Sequence, residues 1–307
     1  MHAIQAQSLT KTYPRGVQAV RGVDFEVEAG EVFGLLGPNG AGKSTTVGML
    51  TSTIIPTGGR ALVGGYDVAK QPLLARGISS VVFQEPVVDR SLTGRANIEL
   101  HARLWGAGTH GHMQELTDSL GLAELIDRPV SSYSGGERRR LEIARALVSE
   151  PAVLFLDEPT VGLDPRIRHE LLDVIAGLRA RKELTILVTT HYLDEAERLC
   201  DRVAIVHEGG IVALDSPRAL LAQLGSEILE FRVAGDPRAT LAALRFKRLA
   251  SADAFAVGAR VTVPLHELRA ADVLAGVEVH PAEISTRVPT LDDVYLRLTG
   301  SELAEAA

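Results

Sequence analysis

The stretch Gly37-Pro38-Asn39-Gly40-Ala41-Gly42-Lys43-Ser44-Thr45 constrains this 307-residue chain more than any other. It fits G-x-x-x-x-G-K-[S/T], a loop whose backbone N–H groups converge on phosphate oxygens. The apolar run Val32-Phe33-Gly34-Leu35-Leu36 before it is short enough for a buried strand, and Thr45 to Leu50 after it can open a helix. Strand, glycine-rich loop and helix N-terminus are the context such a motif requires. The glycines let the backbone turn tightly, and the helix N-terminus adds a favourable field for an anion. Lys43 is then placed for the β- and γ-phosphates of a nucleotide, and Ser44 for Mg²⁺.

The remaining apolar runs are also short, as in Ala152–Leu156, and none approaches the roughly 20 residues of a membrane helix. With 46% hydrophobic residues the chain can build a real core, either as one large domain with an accessory piece or as two domains. The start, Met1-His2-Ala3-Ile4-Gln5, has no basic segment followed by an apolar one, so a cytoplasmic location is expected. The single cysteine, Cys200, rules out an internal disulfide framework and a cysteine-rich zinc site, and reads as a core thiol in a helix Leu193–Cys200. A formal net charge of −7 argues against a general nucleic-acid binder. The basic run Arg138-Arg139-Arg140 sits beside Glu137 and Glu142 and reads as a solvated helix face.

Taken in order, Ile4–Lys11 predicts an edge strand, and Val23, Phe25 and Val27 share one face of the next. Tyr13 lies where an aromatic ring can stack on adenine or simply pack at an edge. Ser80–Phe83 predicts a buried strand that delivers Gln84 to its carboxyl end. Ligands of open α/β sheets collect at such ends, so Gln84 is placed for Mg²⁺ or the attacking water. Leu92–Ile126 is mostly helical in pattern, with Leu116, Leu120 and Leu122 as core candidates, and Thr109-His110-Gly111-His112 has loop chemistry rather than that of a metal site.

Ser134 and Glu137 have capping-box spacing ahead of a helix to about Ser149. Gly135 and Gly136 cost up to about 1 kcal/mol each against alanine in a first helical turn. Capping does not need them, whereas close approach of a phosphate to the backbone would. The strand Ala152–Leu156 ends in Asp157-Glu158, placing Asp157 for the Mg²⁺ shell and Glu158 as general base toward water. A helix follows Asp164-Pro165 to about Arg181. The strand Thr185–Thr190 ends at His191, which is placed to hold a γ-phosphate. A hairpin turns at His207–Gly210, a helix starts at Ser216-Pro217, and the first domain closes near Gly225. Beyond it a strand (228–233), a helix (237–244), two strands (255–257 and 260–263), a helix (266–274) and a strand (277–284) give a βαββαβ-like order, followed by a helix from Thr290 to Gly300.

Over residues 4–220 these ordered motifs resemble the ATP-binding subunit of an ATP-binding-cassette (ABC) transporter. Gly37–Thr45 corresponds to Walker A, Gln84 to the Q-loop, and Tyr133–Glu137 to the signature. Val153–Glu158 corresponds to Walker B, Val161–Asp164 to the D-loop, His191 to the switch histidine and Tyr13 to the A-loop. The signature departs from the usual Leu-Ser-Gly-Gly-Gln at Tyr133 and Glu137, and the D-loop has Val161 where a small hydroxyl residue is common. Val82–Pro86, Leu92–Arg95 and Pro289–Gly300 further resemble the daunorubicin/doxorubicin-resistance type of exporter ATPase, which works with a separate ABC-2-type membrane subunit.

The resemblance implies an α/β P-loop NTPase of ABC type, with a RecA-like core, an antiparallel β subdomain and a helical subdomain over residues 1–224. A small α+β accessory domain over 225–307 completes the chain. It implies ATP bound by Tyr13, Gly37, Asn39, Gly40, Ala41, Gly42, Lys43, Ser44 and Thr45, and across a head-to-tail homodimer by Ser134, Gly135 and Gly136. Ser44, Gln84 and Asp157 fall to Mg²⁺, and Glu158, His191 and Gln84 to hydrolysis. The partners implied are a second copy and an ABC-2-type permease at the cytoplasmic face of the cell membrane, without nucleic acid. A soluble ABC ATPase of translation or DNA repair is the alternative.

Overall fold

The computed structural model describes residues 2–106, 112–178 and 184–301. Contacts divide the chain into two compact units, Met1–His191 with Leu199–Ile211, and Tyr192–Arg198 with Val212–Ala307. The elements run β1 (His2–Thr12), β2 (Gln18–Glu28), β3 (Val32–Leu36), α1 (Lys43–Leu50), β4 (Gly58–Val63), β5 (Tyr66–Asp67), α2 (Pro72–Gly77), β6 (Ser79–Val82), α3 (Gly94–Trp105), α4 (His112–Ser119), α5 (Gly135–Leu147), β7 (Val153–Asp157), α6 (Pro165–Leu178) and β8 (Thr185–Thr190). Then follow α7 (Leu193–Leu199), which but for Leu199 falls in the second unit, β9 (Arg202–His207) and β10 (Gly210–Asp215), which falls in the second unit from Val212.

Two sheets build the first unit. One is antiparallel, in the order β2-β1-β4-β5. Along β2, Val23, Phe25 and Val27 are buried between exposed neighbours, the alternation of a strand with one face in the core. The other sheet has six strands in the order β10-β9-β3-β8-β7-β6, and its pairs β9·β3, β3·β8, β8·β7 and β7·β6 are parallel. β3, β7 and β8 are buried at every residue, so none alternates as a half-exposed strand does, and the polar residues Asp157 of β7 and Thr185, Thr189 and Thr190 of β8 are buried with the apolar ones. Gly34 in mid-strand has a packing reason: a Cβ there would stand 2.8 Å from the Sγ of Cys200, itself buried.

The parallel register brings the strand ends together. Leu36 pairs with Thr190, Asp157 with Thr189, and Val82 with Leu156. The phosphate-type loop after β3, the carboxylates ending β7, His191 after β8 and Gln84 after β6 therefore emerge at one edge of the sheet. Helices α3, α4 and α5 form the helical part, with Leu116, Leu120 and Leu122 fully buried. The expected loop at Thr109-His110-Gly111, and the end of the helix near Arg181, lie outside the described residues.

The second unit continues with α8 (Pro217–Ala222), β11 (Ile228–Arg232), α9 (Pro237–Phe246), β12 (Phe255–Val257), β13 (Arg260–Pro264), α10 (Ala270–Ala275), β14 (Ala282–Arg287) and α11 (Leu291–Thr299). From β11 to β14 the order is βαββαβ, folded as an antiparallel sheet β12-β13-β11-β14. Leu229, Phe231, Val261 and Val263 from the sheet and Leu241, Leu244 and Val273 from α9 and α10 share its core. Two elements differ from the sequence expectation. The helix expected from His266 starts at Ala270, because His266 has φ +41° and Leu265–Leu268 form a turn. The strand expected at 277–284 begins at Ala282, since Pro281 has no N–H for the ladder. Among the described residues no helix is long and apolar enough to cross a membrane.

Candidate functional site

The loop between β3 and α1 has the conformation its glycines permit. Gly42 sits at φ +105° as N-cap of α1, and a Cβ there would lie 2.4 Å from the carbonyl oxygen of Ala19. Only glycine satisfies both the dihedral and the space. Helix α1 thus opens at Lys43, two residues before the sequence pattern suggested. The loop borders a cleft of about 410 Å³ lined by Tyr13, Val17, Ala19, Asn39, Gly40, Gly42, Lys43, Ser44, Thr45, Gln84 and Glu158. Gly37 and Ala41 belong to the same loop. Ser134, Gly135 and Gly136 are not among the lining residues.

Lys43 is buried at 3% exposure, and its ammonium is fully engaged. It donates to the carbonyls of Gly37 (2.7 Å) and Pro38 (3.1 Å) and pairs with Oε1 of Glu158 at 3.1 Å. The other oxygen of Glu158 lies 3.5 Å from Nδ1 of His191. Burial alone pushes the Glu158 carboxyl up, but the His191 hydrogen bond and the charge of Lys43 outweigh it and hold the group below its ordinary value. Glu158 is therefore an anion at neutral pH.

Its backbone is held as firmly. Glu158 adopts φ +46°, a left-handed conformation uncommon for a residue with a side chain. Its N–H donates to Oγ1 (2.9 Å) and the carbonyl (3.2 Å) of Thr189. Its own carbonyl accepts from Nη2 of Arg139 (3.1 Å) and from the Val161 N–H (3.3 Å). Strain of about 1–3 kcal/mol at such a residue persists only where the surroundings over-determine it, and here both sides of the peptide are fixed.

Asp157 stands next to it with a different set of partners. Its Oδ1 accepts from Oγ of Ser44 (3.1 Å) and from Oγ1 of Thr189 (2.6 Å). A serine hydroxyl and a carboxylate at the phosphate-type loop are hard oxygen donors of the kind that hold Mg²⁺ alongside phosphate and water. The donor chemistry fits that ion, and Gln84 lines the same cleft.

Helix α5 carries the capping box expected of it: Ser134 Oγ accepts from the Glu137 N–H (3.3 Å) and Glu137 Oε2 accepts from the Ser134 N–H (2.6 Å). Its glycines have a reason within the chain as well. A Cβ on Gly136 would meet Cγ2 of Ile167 at 2.2 Å, so close packing on α6 already requires glycine there. Gly135 is exposed, with Leu163 3.2 Å from where its Cβ would be. Tyr133 points into the helical part, where its hydroxyl donates to the Leu125 carbonyl at 2.5 Å. The two unusual signature residues thus do local structural work, one as an anchor and one as a cap.

One expectation is overturned. Arg138-Arg139-Arg140 is not a solvated face: Arg139 is 6% exposed and its guanidinium is surrounded by backbone carbonyls. Thr189, Arg139 and Glu142 are the residues that sequence reasoning missed. The available signal was polar side chains inside otherwise buried elements, Thr189-Thr190 in β8 and an arginine three residues before a glutamate in α5.

The ABC transporter family profile matches residues 20–161. The daunorubicin/doxorubicin resistance ATP-binding protein of Streptomyces peucetius is 41% identical, over 97% of this chain and 92% of that protein. The Nod factor export ATP-binding protein I of Rhizobium sp. strain N33 is 38% identical, over 92% of this chain and 93% of its own length. Among solved structures, cbiO1 of Clostridium perfringens, part of the ABC transporter complex cbiONQ, superposes with a TM-score of 0.67 and 28% identity, covering 72% of this chain and 91% of that one.

Proposed function

The chain belongs to the ABC transporter family and is an ATPase, and from that premise we propose that it energises export of a small molecule through a separate ABC-2-type membrane subunit. The observation that carries this reading is similarity over nearly the full length, second unit included, to ATP-binding proteins named for drug resistance and for export. Those two names differ in cargo, which is consistent with substrate contacts residing in the membrane subunit. We assign no cargo beyond the drug or antibiotic-like class. The same similarity favours export over a soluble role in translation or DNA repair.

The nucleotide is placed in the cleft beside the phosphate loop, with its base toward Tyr13 and its phosphates toward Gly37–Thr45. An incoming triphosphate offers Lys43 anionic oxygens in place of the Gly37 and Pro38 carbonyls and of Glu158. That exchange frees the Glu158 carboxylate to orient water and accept its proton, while His191 holds the γ-phosphate. Ser44, Asp157 and Gln84 are the residues that would hold Mg²⁺, which when bound neutralises charge on the β- and γ-phosphates.

Ser134–Gly136 lies outside this cleft, so its phosphate-binding role requires a second copy. In a head-to-tail homodimer the N-terminus of α5, with amide groups that have no partner inside the helix, would face the nucleotide held by the other subunit. Closing and opening of that dimer would drive the membrane subunit, docked on the segment from Gln84 to Leu92 and on α3, where Leu104 is 77% exposed. The protein would then be peripheral to the cytoplasmic face of the membrane.

A tagged chain captured from detergent-solubilised membranes of its own cells tests the reading. A polytopic membrane protein in stoichiometric amount is expected. Recovery of ribosomal or repair proteins instead, from intact membranes, overturns it.

A further inference from the structure

Helix α5 presents Arg139 and Glu142 three residues apart, hence on one face, and both side chains are buried, at 7% and 2% exposure. They form an ion pair at 2.9 Å, Nη1 to Oε2. A buried pair of this kind is costly unless the remaining donors and acceptors are satisfied. Here they are, and by segments far apart in sequence. Nε of Arg139 donates to the Pro159 carbonyl at 2.7 Å, and Nη1 to that of Phe83 at 2.5 Å. Nη2 reaches the carbonyl of Glu158 at 3.1 Å, with longer contacts to Gln84 (3.4 Å) and Asp157 (3.5 Å). The second oxygen of Glu142 accepts from the Val87 N–H at 2.7 Å.

A single planar fork therefore joins the peptide of Glu158, the residues around Gln84 and the body of α5. Lysine in its place keeps the charge but presents one nitrogen, which cannot span carbonyls spread around the rim of the guanidinium, from Nε to Nη1 and Nη2. The contact to the Glu158 carbonyl matters because that residue is held at φ +46°. Thr189 fixes its amide side, and Arg139 and Val161 fix its carbonyl side. Releasing one side lets the strained backbone relax and carries the carboxylate away from where it meets water.

We infer that Arg139, neutralised by Glu142, is the positioning residue that sets the Glu158 carboxylate for hydrolysis and ties its placement to the Gln84 segment. Arg139 touches no nucleotide and is not itself catalytic. The inference rests on the assignment of Glu158 as the base, and the experiment separates the two.

Steady-state ATPase rates and affinity for a fluorescent ATP analogue would be measured for wild type, Arg139→Lys, Glu142→Gln and Glu158→Gln, with melting curves for each. Misplacing a reacting group by about 1 Å costs about 10²-fold, so Arg139→Lys is expected to lower kcat roughly 10- to 100-fold. Analogue affinity should stay within about threefold, because Lys43 and the phosphate loop are untouched. Glu142→Gln leaves the buried guanidinium without its counter-charge, so the fork shifts off the carbonyls it bridges, and kcat is expected to fall by at least roughly threefold with the same split.

Arg139→Lys turnover within about twofold of wild type overturns the inference. So does a loss of kcat matched by equal losses of affinity and cooperative melting, which marks a residue needed only for folding. Should Arg139→Lys fail to fold, unchanged turnover in Glu142→Gln overturns it by itself. If Glu158→Gln keeps its turnover, the base assignment fails instead. If Glu158→Gln is inactive while both α5 variants are normal, the base stands and the positioning role falls.

Discussion

Each of the two units is organised around a buried carboxylate, and the partners chosen for it are opposite in kind. In the first unit Glu158 is held by Lys43 and His191, and Lys43 simultaneously donates to two loop carbonyls. Every partner of that ammonium is one that phosphate oxygens can replace. In the second unit Asp293, 1% exposed, takes two hydrogen bonds from Arg287 at 2.7 and 2.8 Å. It also accepts from the N–H of Thr290 at 2.8 Å, capping α11, while Arg287 reaches on to Glu230 at 2.9 Å. Those hydrogen bonds, chiefly Asp293's, raise the Arg287 pKa above its already high value despite partial burial. The bidentate fork locks a geometry, and the point-charge ammonium leaves one open to exchange.

Removing each carboxylate's function separates the two designs. Glu158→Gln keeps the size and one acceptor oxygen but cannot accept a proton, and is expected to lower kcat by about 10²–10⁴-fold with nucleotide binding retained. Wild-type turnover in a steady-state assay of that variant refutes the assignment. Lys43→Ala should instead act on binding, weakening ATP affinity by roughly 10- to 100-fold through loss of charge-assisted hydrogen bonds. Titration with a fluorescent analogue checks it, and unaltered affinity places the phosphates elsewhere. Arg287→Ala should spare nucleotide affinity and cost about 2–3 kcal/mol of stability, below the full penalty for breaking a buried pair because Arg287 is 38% exposed. A denaturant midpoint unchanged from wild type contradicts the locked reading of Asp293.

What the sequence made legible follows the same division between local and distant partners. The phosphate-type loop, Asp157-Glu158, Gln84 and His191 each end a short apolar run, and a parallel sheet puts all such ends at one edge. The capping box of Ser134 and Glu137 was legible because it lies within one helical turn. Arg139 was not, because its acceptors lie some 20 and 56 residues away, at Pro159 and Phe83, and a run of three arginines reads as surface. The packing reason for Gly136 is invisible in the sequence, since its contact with Ile167 exists only once α5 and α6 are packed. In the second unit the βαββαβ order of elements was readable, while the start of β14 moved past Pro281, which cannot pair.

The smallest expected effect is a sign, and it sharpens the contrast most. Functional sites often weaken the folded state, so replacing a catalytic carboxylate commonly stabilises the protein. Glu158 points the other way, because His191 and Lys43 hold its folded pKa below the ordinary value. A carboxyl with a depressed folded pKa contributes stability above its unfolded pKa and loses it as pH falls through the folded value. Without nucleotide, Glu158→Gln should therefore melt below wild type at pH 7, and the gap should close as the pH is taken down past the ordinary carboxylate range. With saturating ATP analogue the gap at pH 7 should shrink too, since on the proposed reading phosphate would take Lys43 from Glu158 in wild type. A variant that melts above wild type at pH 7 without nucleotide would mean that the backbone strain at φ +46° outweighs the ion pair. In that case the partners of Glu158 hold the residue against its preference, where those of Asp293 satisfy it.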